Sequence, residues 1–167
     1  MKYHIRYANV SDSHALGYIH SLSFRTAYKG IVSDFILDNF TVEKREKYTQ
    51  KSLIDKIEEY VLIIKDNEPA GFMCIGKCRD EDLDSFFGEI WGMYLLPAYW
   101  NQGLGKELIN WGIRELKRRG YKKVSLWVLE ENINARRFYE KIGFGHDGTV
   151  KEINIGKPLK EYRYILG

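Results

Sequence analysis

The sequence predicts an α/β (α+β) domain, on three observations. Apolar runs of strand length recur along the chain, among them Tyr60 to Lys65, Gly88 to Leu95 and Val124 to Leu129. Between them lie segments of helical spacing, clearest where Leu104, Leu108, Trp111, Gly112 and Leu116 fall on one stripe. A length of 167 residues is enough for one domain with a substantial core, so residues 1–167 are read as a single unit.

Taken in order, residues 3 to 7 alternate as a short strand centred on Ile5. Ser11, Asp12 and Ser13 offer N-caps to a helix bearing Leu16, Ile19, His20 and Phe24 on one side. A second helical region is expected from about Ser33 to Lys56. Its charged, weakly periodic middle, Thr41 to Lys51, reads as exposed or mobile. Tyr60 to Lys65 and Ala70 to Cys78 form a hairpin across the turn Asp66-Asn67-Glu68-Pro69. Arg79 to Ser85 is a charged, solvated connection. Gly88 to Leu95 is the central strand, and Gly92 in its middle predicts a bulge. Past the helix that Gly120 caps come the strand Val124 to Leu129 and a short helix after Asn132 that Gly143 ends. The tail from His146 reads as two strands, the last from Tyr162 to Leu166.

Composition narrows the function classes. A hydrophobic fraction of 44% and a charged fraction of 29% are those of an ordinary globular protein. No apolar stretch approaches the ~20 residues that span a bilayer, and no signal-peptide pattern opens the chain. The expectation is a cytoplasmic protein without a membrane partner. A net charge of +3 is too mild to argue for nucleic acid, and the Lys117-Arg118-Arg119 cluster suits the end of a helix on local grounds. Cys74 and Cys78 lack zinc-site partners or a base and read as core or edge residues. His4, His14, His20 and His146 show no metal-ligand spacing, so no metal is expected.

The run Trp100-Asn101-Gln102-Gly103-Leu104-Gly105-Lys106 is a tight loop entering a helix. Its two glycines allow a ligand to approach the amides, and a helix start offers unpaired N–H groups and partial positive charge to phosphate. A dinucleotide fingerprint would need a third glycine where Leu108 stands, and a Walker loop would need Ser or Thr after its lysine where Glu107 stands. The loop is a phosphate cradle of another kind, or a glycine-rich turn.

The flanks carry a resemblance. Gly103 and Gly105 match the glycines of Gln/Arg-x-x-Gly-x-Gly/Ala, with Trp100 at the leading position instead of Gln or Arg. Asn132, Ala135, Tyr139, Gly143 and Phe144 match Asn-x-x-Ala-x-x-x-Tyr-x-x-x-Gly-Phe in full. Together, from Gly88 to Phe144, they resemble the GNAT superfamily of acyl-CoA-dependent N-acetyltransferases. The resemblance implies a mixed, mostly antiparallel sheet of about six to seven strands flanked by about four helices, splayed between its two central strands. It implies acetyl-CoA as co-substrate, bound at Asn101, Gln102, Gly103, Leu104, Gly105 and Lys106, along the backbone of Met93, Tyr94 and Leu95, and by Asn132. Asn132 competes as a helix N-cap.

Acetyl transfer to an amine has further demands. The Leu95 amide is implied as the donor to the thioester oxygen. An alkylamine with a pKa of about 10.4 must lose a proton before it attacks. Glu89 is the candidate base, directly or through water, with a strand-end ion pair as its competing role. Tyr139 occupies the family position of the acid that reprotonates the departing thiolate. Phe24, Tyr28 and Phe35 are candidate acceptor contacts or core aromatics. The expected activity is N-acetylation of a small-molecule or peptide amine in a ternary complex; the alternative is an acyl-CoA sensor without turnover. The resemblance leaves a homodimer open.

Overall fold

The computed structural model describes residues 2–167. Seven strands form one sheet: β1 (Tyr3–Tyr7), β2 (Glu59–Lys65), β3 (Glu68–Lys77), β4 (Phe87–Leu95), β5 (Lys123–Leu129), β6 (Gly145–Asn154) and β7 (Pro158–Leu166). Their spatial order is β1-β2-β3-β4-β5-β7-β6. Every neighbouring pair is antiparallel except β4 and β5. The parallel pair needs a crossover, supplied by α4 (Leu104–Arg118).

α4 lays Leu104, Leu108, Ile109 and Leu116 on one sheet face, where they meet Met73, Ile75, Ile90, Val124 and Leu126. Ala135, Phe138 and Tyr139 of α5 (Ile133–Ile142) join the same core. The opposite face is covered by α1 (Ser13–Ala27), whose Leu16 and Ile19 pack with Leu62, Phe72 and Cys74. The expected second helix is two: α2 (Asp34–Asn39) and α3 (Val42–Ile54). They part at Phe40–Thr41 because the Thr41 hydroxyl accepts from the Lys44 amide and starts a new helix. Five helices therefore flank the sheet. Among the described residues no helix is long and apolar enough to cross a membrane, and no group of His, Cys, Asp or Glu could hold a metal.

α3 is also less free than its sequence implies. A Cβ on Gly17 of α1 would lie 2.5 Å from the Glu46 amide nitrogen and 2.8 Å from its Cα. Backbone meets backbone there, so no side chain can yield. In an open helix Gly→Ala stabilises by about 1 kcal/mol. Gly17→Ala is instead expected to cost about 2 kcal/mol, lowering Tm by about 6 °C, because the helices must separate. Thermal denaturation checks the sign, and a rise in Tm would mean that the two helices slide apart freely.

Candidate active site

The loop before α4 is built by two left-handed residues, Asn101 at φ 59° and Gly103 at φ 84°. Gly103 caps α4 without a side-chain hydrogen bond, and Glu107 is the first helix amide to find a carbonyl, that of Gly103 at 3.2 Å. Among the described residues, the amides from Gly103 to Lys106 have no backbone acceptor. Asn101, Gly103, Gly105 and Lys106 line a cleft of about 830 Å³. Gln102 and the Leu104 side chain do not. The Gln102 amide donates to the Ala98 carbonyl and accepts from Lys65, which ties the loop to the end of β2, while Leu104 is buried in the core. Arg137 and Lys141 of α5 add positive charge to this mouth.

The next part of the cleft is a gap in the sheet. β4 and β5 pair at Phe87, Gly88 and Glu89 only, after which β5 continues beside β7. Ile75 faces Ile90 and Cys74 faces Gly92, so Trp91 is the extra residue of a bulge where the strands diverge. The Leu96 amide donates to the Ala70 carbonyl at 2.9 Å. Backbone groups alternate in direction along an antiparallel pair, so Tyr94 also turns its N–H and C=O toward β3. Met93 and Leu95 turn theirs into the gap. Tyr94 thus faces the cleft with its side chain and not, as read from sequence, with its backbone. The Leu95 carbonyl accepts from the Trp100 indole at 2.8 Å.

Because the cleft touches α4 and α5 on one face and α1 on the other, it passes through the sheet. On the α1 side it is lined by Tyr28, Trp91, Trp127 and Glu161. Register explains the convergence. Glu89 faces Ser125, Trp127 faces Arg163 and Leu129 faces Glu161, and alternate residues share a face. Tyr139 lines the cleft from α5, 9% exposed. Burial, and then Tyr28, raise its hydroxyl above the ordinary tyrosine value. Burial pushes Tyr28 up to about 12, Glu161 adds to the rise, and the Asn132 side chain offsets part of it. Asn132 lines the cleft while its Oδ1 accepts from the Ala135 amide, so it does cap α5.

Two sequence expectations change here. Glu89 is 1% exposed and does not line the cleft. Its oxygens accept from the Arg79 amide at 2.9 Å and the Arg79 guanidinium at 2.6 Å and 3.3 Å. The Arg79–Ser85 connection is not free in solvent: Asp80 accepts from the Trp127 indole, and Arg163 holds Asp80 and Asp82. Of the aromatic candidates only Tyr28 reaches the cleft; Phe24 stacks on Phe40 in a satellite core, and Phe35 is 75% exposed elsewhere. His20 is enclosed by Phe24, Phe40, Phe72 and Tyr94, where burial lowers its pKa to about 3. Sequence reasoning missed Glu161. Its only signal was a charge among the inward-facing positions of the last strand.

A seven-stranded sheet parted at its centre thus opens a gap with a loop of amides at one mouth. A family model for the acetyltransferase (GNAT) family matches residues 31–144, and the chain belongs to that family. It is 28% identical over 165 residues to an uncharacterised N-acetyltransferase of Bacillus subtilis, YuaI, covering 92% of each chain. It is 25% identical over 157 residues to a spermidine N(1)-acetyltransferase of Thermoplasma acidophilum, covering 89% of this chain and 92% of that protein. Its fold is similar to that of the PaiA N-acetyltransferase of Thermoplasma acidophilum in complex with coenzyme A. That match has a TM-score of 0.74 at 21% identity and covers 97% of this chain and 98% of that one.

Proposed function

We propose that this acetyltransferase takes acetyl-CoA as co-substrate and moves the acetyl group to a primary amine of a small molecule or peptide, by direct attack with both bound. The observation that carries the reading is the run of amides from Gly103 to Lys106 that find no backbone acceptor among the described residues, opening beside a gap whose wall offers the backbone of Met93 and the N–H of Leu95. Diphosphate suits the first, because helix-start amides and the Lys106 ammonium meet its charge. A pantetheine arm suits the second, because its amides can continue the ladder that β4 lacks on that side.

Bound there, acetyl-CoA supplies an acyl carbon open to an amine. The Leu95 N–H is assigned to the charge that develops on the thioester oxygen. Trp100 fixes the carbonyl of the same residue, which gives the departure from the family motif a positioning role. Tyr139 is assigned to the departing sulfur. The side-chain NH2 of Asn132 lies beside Tyr28 and is assigned to orienting the bound molecules. Glu89, held by three donors from Arg79, is assigned to anchoring the start of the 79–85 connection and not to the proton. No covalent intermediate on the protein is required, and proximity and orientation supply much of the acceleration.

Calorimetric titration with acetyl-CoA is expected to give saturable binding with a Kd of roughly micromolar order. Thiol release is then followed with spermidine, lysine amide and an alanine-terminated peptide as acceptors. The name of the Thermoplasma relative makes a polyamine one acceptor worth testing. Absence of acetyl-CoA binding would remove the proposal. Binding without thiol release from any amine would turn it toward an acyl-CoA sensor.

A further inference from the structure

The α1-facing side of the sheet carries two carboxylates near the cleft, of which only Glu161 lines it, and they differ in what holds them. Glu89 is enclosed and saturated by Arg79, with a shortest contact of 2.6 Å. Glu161 lines the cleft, its side chain is 19% exposed, and its closest cation, Lys151, stands 3.8 Å away, beyond hydrogen-bonding distance. That lysine also lies 4.1 Å from the centre of the Trp127 ring. Glu161 and Trp127 both line the cleft, and the lysine shows that the pair accommodates an ammonium group between carboxylate and indole. Such a site favours a primary ammonium through charge and the ring face together.

We propose that Glu161 is the catalytic carboxylate that receives the acceptor's ammonium group and takes its proton. The inference rests on the N-acetyltransferase reading and adds to it the residue that selects and activates the amine. The ammonium gives one proton to Glu161, which later passes it to solvent. The neutral nitrogen forms a bond to the acyl carbon as the carbon–sulfur bond breaks. The second proton, lost by nitrogen as the amide forms, replaces the one that Tyr139 donates to the thiolate. Amine, thioester and the two side chains thus return to balance with one proton released.

The groups facing Glu161 are Lys151 from β6, Arg79 and Glu89 across the sheet face, and Tyr28 at the end of α1. Burial raises the Glu161 pKa, the two cations lower it and Glu89 raises it. The net rise moves a carboxylate toward the pH at which it can exchange a proton with an amine. Removing Lys151 must raise it further. The acid limb of kcat/KM, which reports the protonation of the free base, should then move to higher pH.

Glu161→Gln is expected to lower kcat/KM for n-butylamine and spermidine about a hundredfold or more, with the Kd for acetyl-CoA within about twofold of wild type. Lys151→Met is expected to shift the acid limb upward. Glu89→Gln is expected to register in thermal stability, since it weakens the anchor of Arg79, and to move the acid limb to lower pH, opposite to Lys151→Met, because a negative charge facing Glu161 is lost. Carbon-13 NMR titration of the Glu161 carboxyl gives a readout independent of any acceptor, expected above the ordinary glutamate value of about 4.3. An ordinary or lower value, a Glu161→Gln enzyme within about threefold of wild type, or a limb that stays put in Lys151→Met would overturn the assignment. Failure of the wild-type chain to bind acetyl-CoA is a separate result, and would remove the underlying activity.

Discussion

Tyr139→Phe is expected to lower kcat about a hundredfold, a loss of about 2.7 kcal/mol in transition-state stabilisation. The KM for acetyl-CoA should stay within about twofold. The substitution removes one hydroxyl and keeps the ring, which packs edge-on against Phe138 and Phe144 at centroid distances of 5.4 Å and 6.0 Å. Burial holds the Tyr139 pKa above its ordinary value, so the group enters the reaction protonated. The same burial makes it reluctant to part with a proton when the partner is a thiolate of ordinary basicity, about 8.5. A thiolate forming in that cleft loses water too, which raises its own basicity and draws the proton over. In the proposed role the O–H donates to developing charge before it transfers a proton, and a phenyl ring can do neither. Steady-state kinetics separates the cases. An unchanged kcat would mean that sulfur departs without help, and a change confined to KM would reduce the hydroxyl to a binding contact.

What could be read from sequence follows the reach of each signal. Gly103, Leu104 and Leu108 announce the loop and helix because cap, turn and stripe lie within a few residues of one another. The match from Asn132 to Phe144 is likewise contiguous, and α5 occupies it. Gly92 marked the β4 bulge correctly, since the extra residue is its neighbour Trp91. The boundary between α2 and α3 was legible in principle, because Thr41 is a good N-cap, but the charges after it suggested a loose segment. The partner of Glu89 was not legible: Arg79 lies ten residues away across a connection of no regular structure. Glu161 was harder still. Its exposure to the cleft follows from the β5–β7 register and from the splay of β4, neither of which is encoded near residue 161.

Arg163 offers the largest effect on stability. Two residues beyond Glu161 and on the same sheet face, its side chain is 4% exposed yet fully engaged. It donates to Asp82 at 2.7 Å and 2.8 Å, to Asp147 at 2.7 Å and to the Thr149 hydroxyl at 3.0 Å, and Asp80 lies at 3.4 Å. One guanidinium therefore fastens the 79–85 connection and the start of β6 to β7. Arg163→Met fills the space but strands the partly buried carboxylates of Asp80 and Asp147, and is expected to cost about 3 kcal/mol at neutral pH, with Tm lower by about 9 °C. Arg163→Lys should recover only part, because an ammonium cannot reproduce the planar fork. The pH dependence distinguishes charge from packing. Arg163 holds Asp82 below the usual carboxylate value, and against the effect of burial the Thr149 amide, then Arg163, hold Asp147 below it; a depressed folded pKa stabilises the fold above the unfolded value of about 3.9. That contribution fades as pH falls through the folded values. The gap between wild type and Arg163→Met in urea denaturation should accordingly be wider at pH 7 than at about pH 3. An equal gap at both pH values would assign the loss to packing. Since this connection carries Arg79 and Asp80 to the cleft's tryptophans, the variant should also raise KM for the amine while leaving the affinity for acetyl-CoA, whose proposed cradle lies on the other face of the sheet, unchanged.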